Sequence, residues 1–206
     1  MRYANYPFVI VLSALFFLTF CGRNALAQTY IPDIGQSQLD LSSPFYFLKG
    51  VREYLELKFA QTYRVTILKQ FEFAIRRLRE AKALTTKRQD LIQVTLERYI
   101  AHLNRIPDSR KNDEFEILMR NNLPIHLEVL AQIYDSTSNL KAKMALRSAM
   151  NRIIRRTDLP LEAKVPVCRL FSKEASSSAL NQAEQTVLSQ RAQKCFESLN
   201  PSGFGN

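Results

Sequence analysis

Between Leu41 and Pro201 the chain contains a single glycine, Gly50. Tight hairpin turns and phosphate-cradling loops draw on glycine, because a residue without Cβ takes positive φ without strain. So long a stretch with one glycine argues against a sheet-rich fold. The spacing of apolar residues points the same way. Around Ala74-Ile75-Arg76-Arg77-Leu78-Arg79-Glu80-Ala81, apolar side chains recur at Ile67, Leu68, Phe71, Ile75, Leu78 and Ala81 or Leu84. Residues three and four apart share a helix face, so these make one stripe of an amphipathic helix. Glu72, Arg76 and Glu80, each four apart, are assigned to the opposite, charged side. Hydrophobic residues are 46% of the 206, enough for a core and too many for wholesale disorder. The expectation is an all-α fold: a bundle of about five to seven helices with a C-terminal helical hairpin closed by a disulfide.

Residues 1–27 have the layout of a secretory signal peptide. Arg2 gives the positive start, Phe8 to Phe20 the apolar run, and Ala25-Leu26-Ala27 the small-x-small cleavage pattern, predicting a mature start at Gln28. The apolar run is shorter than the ~20 residues a spanning helix takes, so an uncleaved anchor is the weaker option. Lipid attachment at Cys21 is discounted, since Phe20 stands where a lipoprotein signal needs a small residue. No second apolar run long enough to span follows. The predicted destination is the periplasm or the exterior.

Loss of the leader removes Arg2 and Arg23, leaving 27 of the 29 basic residues against 19 acidic ones, a net charge of +8. That charge favours anionic partners or surfaces without naming one, and a solvated basic surface is the plainer reading. Two cysteines also remain, Cys168 and Cys195. In an oxidising compartment an isolated pair is a disulfide candidate. Cys195 lies on the stripe Val187 or Leu188, Ala192, Cys195, Leu199, while Cys168 sits near Val165 and Phe171. Ser176-Ser177-Ser178 offers a turn and a helix cap between them. Two separate buried thiols are the alternative; a redox pair lacks the Cys-x-x-Cys arrangement.

Taken in order, residues 28–43 read as a flexible linker and 44–199 as the helical domain. Pro44, after Ser42 or Ser43, suits the first turn of a helix to about Ala60, with Phe47 or Leu48, Val51, Leu55 and Phe59 or Lys58 turned inward. A second helix is predicted from about Thr62 to Leu84. A third opens at Thr85-Thr86 and runs to Ile106, its stripe being Leu91, Val94 or Thr95, Arg98 or Tyr99, and Leu103. Residues 111–157 hold further helices. One is interrupted at Asn121-Asn122-Leu123-Pro124, with helix again over Ile125 to Tyr134; another is marked by Leu140, Met144, Met150 and Ile154. Arg155-Arg156 ends that helix, where positive charge suits the C-terminal dipole. In the disulfide hairpin of 158–199, Pro166 is expected to kink or break a short segment, and the last helix to run from about Ser177 to Leu199. Residues 200–206 read as a loose tail.

Ser43-Pro44-Phe45-Tyr46-Phe47-Leu48-Lys49, the downstream Glu53 and Ala74-x-x-Arg77-Leu78-x-Glu80-Ala81 carry a resemblance. Over about Pro44 to Ile106, and more loosely over Leu127 to Ile153, the chain resembles a bacterial domain-of-unknown-function family, number five-six-six-seven. The resemblance implies a helical, extracytoplasmic domain with no assigned activity. The cysteine pair is not part of the pattern.

Candidate sites follow from charge. Arg77 flanks the apolar stripe beside Phe73 and Ala81; it either presents a cation to an acidic partner or packs its stem at a helix seam and pairs with Glu80 or Glu53, the second being the plainer reading. Arg76, Arg77, Arg79 and Lys82 form a candidate interaction face, extended by Lys87 and Arg88 and diluted by Glu72 and Glu80. Export and the lack of a recognised binding module argue against specific nucleic-acid binding. His102 and His126 lie outside any Glu-x-x-His or His-Glu-x-x-His context, so no metal is expected. There is no nucleophile elbow and no glycine-rich phosphate loop, hence no catalytic assignment and no cofactor. Asp113, Glu114 and Glu116 read as acids at a helix N-terminus.

Three functions stay open. The chain is first read as a non-catalytic envelope module that binds another envelope protein or an anionic polymer. The alternative is a small periplasmic chaperone resembling Spy and CpxP. Their Leu-Thr-x-x-Gln repeat is missed by one residue in Leu84-Thr85-Thr86-Lys87-Arg88-Gln89. An enzyme would need a pocket that no motif announces.

Overall fold

A computed structural model describes residue 41 and residues 43–108, 114–177 and 180–199. The predicted leader, the linker up to residue 40 and the tail of 200–206 lie outside the described residues. Among the described residues there are seven α-helices and no strand. They are α1 (Tyr46–Lys58), α2 (Tyr63–Leu84), α3 (Ile92–Asn104, preceded by the short 3-10 turn Gln89–Leu91), α4 (Glu114–Ser136), α5 (Leu140–Ile154), α6 (Leu161–Ala175) and α7 (Gln182–Glu197). The all-α bundle expected from glycine scarcity is the fold observed.

The helix starts follow side-chain capping. Thr62 accepts from the Val65 amide at 3.2 Å and Asn139 from the Ala142 amide at 3.0 Å, each satisfying an orphan donor of the first turn. At α7 the Asn181 side chain accepts from the Glu184 amide (2.9 Å) while Glu184 accepts from the Asn181 amide (3.1 Å), a complete capping box. The start placed at Ser177 is therefore corrected to Gln182, and the cap is Asn181 instead of the serines. The third helix likewise begins later than Thr85. Gln89 in the 3-10 turn accepts from the amides of Ser138 and Asn139 at 3.1 and 3.2 Å, tying this corner to the start of α5.

Two prolines expected to interrupt helices do not. α4 runs through Pro124, and Asn122 donates from its side chain to the Leu118 carbonyl at 2.6 Å, one turn back. α6 runs through Pro166; the carbonyl deprived of its donor is that of Glu162, and both residues face solvent, where water serves it.

α2 lies at the centre, packed against α3 and α4 and, on another side, against α1. α5 rests on α3 and α4, α6 on α4, and α7 chiefly on α6. Phe71, Ala74, Leu78, Ala81 and Leu84 of α2, Leu96, Tyr99 and Leu103 of α3, and Leu123, Leu127 and Leu130 of α4 are all buried on these packed helices. In α3 the inward choices are Thr95 and Tyr99, joined by Ile92 and Leu96, whereas Val94 and Arg98 face solvent. In α5 the stripe is shifted: Leu140 and Met144 are exposed, and Ala142, Leu146, Ala149, Met150 and Ile153 fill the core.

Arg156 does more than complement a helix dipole. It is fully buried, donates to the carbonyls of Ile106 (3.1 Å) and Pro107 (3.0 Å), and forks onto Asp158 at 2.9 and 2.7 Å. One guanidinium thus satisfies the orphan carbonyls beyond α3 and pins them to the end of α5.

The Cys168–Cys195 bridge joins α6 to α7 with a Cα–Cα distance of 5.4 Å across 27 positions of sequence. Both cysteines are buried among Val167, Phe171, Leu188 and Ala192. Closing a loop of that size stabilises the chain by ~3–4 kcal/mol in the loop-entropy description. Cys168→Ser is expected to lower the melting temperature, and reductant to do the same to the wild type. Equal melting with and without reductant would show that the bridge contributes nothing.

Candidate functional site

The first helix faces the opposite way from the one its apolar pattern suggests. Tyr46, Lys49, Glu53 and Glu56 fall at three- and four-residue steps on one side of α1, and this polar stripe packs against α2. Phe47, Leu48, Val51, Leu55 and Phe59, expected inside, point to solvent together with Phe45 and Tyr54, with exposures of 43% to 73%. The reason lies on α2. Its facing side carries Lys69, Glu72, Arg76, Arg77 and Glu80, and charges taken from water must be paired. α2 makes part of the pairing itself, through Glu72 and Glu80, and the polar side of α1 supplies the rest.

Arg77 is the centre of the cluster, 2% exposed. It donates through Nη1 to both oxygens of Glu80 (2.8 and 2.7 Å), through Nη2 to Glu53, and to the Tyr46 hydroxyl. Tyr46 donates in turn to Glu80 at 3.1 Å, and Lys49 Nζ binds the other Glu80 oxygen. Beside this group Arg76 pairs with Glu72 and lies 3.4 Å from Glu56, while Lys69 reaches Glu56 at 3.2 Å and Glu72 at 2.9 Å. Arg98 of α3 stacks over the Tyr46 ring at 5.2 Å, closing the third side.

The electrostatics record this pairing. Burial, and then the Glu80 carboxylate, push the Tyr46 phenol up to about 12, so its proton stays in the hydrogen bond. Burial works against the charge of Arg77, but Glu80 and Glu53 outweigh it and raise its pKa. Burial would raise Glu56; Arg76, with Arg52 and Lys69, overcomes it and holds the carboxylate below its ordinary range. At Lys49 burial wins and lowers the pKa, despite the opposing pull of Glu80. Chemically the cluster is a fastener whose members are committed to one another.

Arg77 thus takes both pairings that its position allowed, with Glu80 and with Glu53. The residues Arg76, Arg77, Arg79 and Lys82 do not share one open face: Arg77 is buried, Arg76 is engaged with acids, Arg79 is half-buried, and Lys82 is exposed. Glu80, assigned to the charged outer side, is fully buried. Tyr46, Lys49 and Glu56 join Glu53 as seam residues, and the sequence signal for them is the helical spacing of the polar side chains at 46, 49, 53 and 56.

The histidines are both neutral at pH 7. His102 Nδ1 lies 2.8 Å from Gln70 Oε1, and burial, then Arg77, Arg105 and Arg98, lower it to about 4. It lines a cleft of about 560 Å³ shared with Glu53, Tyr54, Gln70, Phe73 and Arg105. His126 is fully buried, 3.0 Å from the Tyr99 hydroxyl through Nδ1 and stacked on Phe71 at 5.3 Å; burial lowers it to about 3. Among the described residues no three His, Cys, Asp or Glu side chains gather as a metal site would need.

A family model described as Domain of unknown function (DUF5667) matches residues 42–198. The match takes in the Pro44–Ile106 region of the resemblance and continues through the disulfide hairpin. No curated protein and no solved structure matches the chain.

Removing Arg77 leaves Glu53 and Glu80 buried without their partner, so Arg77→Ala is expected to destabilise by about 3–5 kcal/mol in chemical denaturation. Lys82→Ala, on an exposed helix position, is expected to change stability by less than about 0.5 kcal/mol. Equal effects would refute the assignment of Arg77 as the fastener.

A pH effect follows from His126. The unfolded ring takes up a proton near 6.5 and the folded ring near 3. Between those values the unfolded state binds the extra proton, so this group makes stability fall as pH drops, by about 1.4 kcal/mol per unit. Above 6.5 it contributes no slope. His126→Gln is expected to flatten the stability–pH curve in that window, measured by denaturation from pH 7 to 4. An unchanged slope would mean that His126 is protonated in the native state.

Proposed function

Because the chain belongs to the family described as a domain of unknown function, membership brings no activity with it, and we propose from its own residues that it is an exported, non-catalytic interaction module of the bacterial cell envelope. The observation that carries the reading is the outer face of α1, where seven large apolar side chains between Phe45 and Phe59 stand in solvent. An apolar face of this kind on a folded surface marks an interaction site. The charge cluster beneath it explains how the face is held: α1 is fixed to α2 by ion pairs, so its apolar side is free for a partner. Export is supported by the signal-peptide layout of residues 1–27 and by the Cys168–Cys195 bridge, a bond that persists in oxidising compartments.

The chaperone reading is favoured by the same exposed aromatics, which would hold unfolded segments. Photo-crosslinking in cells separates the two. A photoreactive residue at Leu55 is expected to trap one dominant partner, lost in Phe47→Ser/Val51→Ser, while the same probe at Lys82 traps none. Many unfolded clients at Leu55 would move the assignment to the chaperone. No product at either position would overturn the interaction reading.

A further inference from the structure

On the reading that α1 is the interaction face, we propose that its partner is the surface of an anionic phospholipid membrane. At 100° per residue, Tyr54, Phe47, Val51, Leu55, Leu48 and Phe59 span an arc of roughly 140° on α1. That is the width of an apolar helix face lying in a bilayer interface. Its composition fits the depth: Phe45, Phe47, Tyr54 and Phe59 are exposed aromatics, a residue class favoured at the headgroup boundary.

Charge selects among occupants. Residues 44–68 contain two carboxylates, Glu53 and Glu56. Both turn toward α2 and are bound there, Glu53 by Arg77 and Glu56 by Lys69 and Arg76, with Arg52 of α1 sharing Glu56. The buried cluster therefore strips the outer side of α1 of negative charge. What remains on the outer side is cationic: the exposed Lys58, which falls within the arc at the C-terminal end of α1, and at the arc's edge the exposed Arg52, paired with Glu56 at 2.6 Å. An apolar arc that carries Lys58 and no carboxylate, on a chain of net charge +10, is complementary to anionic headgroups over acyl chains. A second copy of the chain would set Lys58 of one face against Lys58 of the other. Among the described residues no helix is long and apolar enough to cross a membrane, so the contact proposed is adsorption in the plane of the interface.

The test is co-sedimentation of the full chain with vesicles of phosphatidylglycerol or of phosphatidylcholine, at low and high salt. The wild type is expected to bind phosphatidylglycerol at least tenfold more tightly, with the preference reduced by salt. Phe47→Ser/Leu55→Ser and, separately, Lys58→Glu are expected to weaken binding at least tenfold; all three positions are exposed, so unchanged melting confirms that each variant is folded. Wild type and variants binding alike would overturn the proposal, because the apolar run at Phe8–Phe20 is common to all of them. Absence of vesicle binding, with crosslinking at Leu55 intact, would overturn the lipid assignment and leave the interaction module standing. Loss of both would remove both readings. Concentration-dependent dimers dispersed by Phe47→Ser/Leu55→Ser would replace the membrane with a second copy.

Discussion

The arrangement depends on one buried guanidinium. Arg77 sits in the seam between α1 and α2, and its charge is tolerable there only because Glu80, Glu53 and the Tyr46 hydroxyl surround it. Arg77 and Glu80 are three apart on α2, so half of the pairing is made within one helix before any tertiary contact forms. The other half must come from outside, and α1 provides it. A buried ion pair seldom adds much net stability over apolar packing, but it tolerates few alternatives. It therefore fixes which side of α1 faces in.

That choice has a consequence for the surface. α1 is an amphipathic helix docked by its polar side, so the apolar side that would ordinarily enter a core is displayed instead. Everything downstream is conventional by comparison. α2 closes its apolar stripe against α3 and α4, Arg156 ties the end of α3 to the end of α5, and the disulfide holds α7 on α6. The body of the bundle is built from buried hydrocarbon, while the first helix is held on by charge. Conditions that screen or neutralise charge act on the α1 seam first, because hydrophobic packing does not answer to them.

The motif that carries the family resemblance acquires a physical meaning here. Tyr46, Lys49, Glu53, Arg77 and Glu80 come from two separated stretches of sequence, and they converge in one cluster. Their spacing is the spacing needed for an aromatic hydroxyl, an ammonium and a carboxylate on one helix to meet an arginine and a carboxylate on the next. The family's match to residues 42–198 spans both halves of that cluster and the hairpin beyond. Phe47 and Leu48, also within the motif, stay outside the cluster and belong to the displayed face.

The helical class, most of the inward stripes of α2 and α3 and the cysteine pairing are legible in the sequence; on α2 the expected stripe errs at Leu68, which is exposed, and at Ile75, which is half-buried. Each of these rests on a local rule: one glycine in the domain, apolar residues at helical spacing, two inward-facing cysteines on neighbouring segments. Asn181-x-x-Glu184 is a capping-box spacing legible in the same way. Tertiary structure decided the rest. Pro124 and Pro166 sit inside helices because the carbonyls they deprive of a donor, those of Arg120 and Glu162, belong to exposed residues that water can reach, which spacing cannot reveal. Arg156 is buried because carbonyls from a distant helix end need a donor. α1 shows its apolar side to solvent because α2 buries an arginine that Glu53 and the Tyr46 hydroxyl, on the polar side of α1, help to pair. Hydrophobic periodicity says that a helix has two faces; which face turns inward depends on what the neighbour must pair.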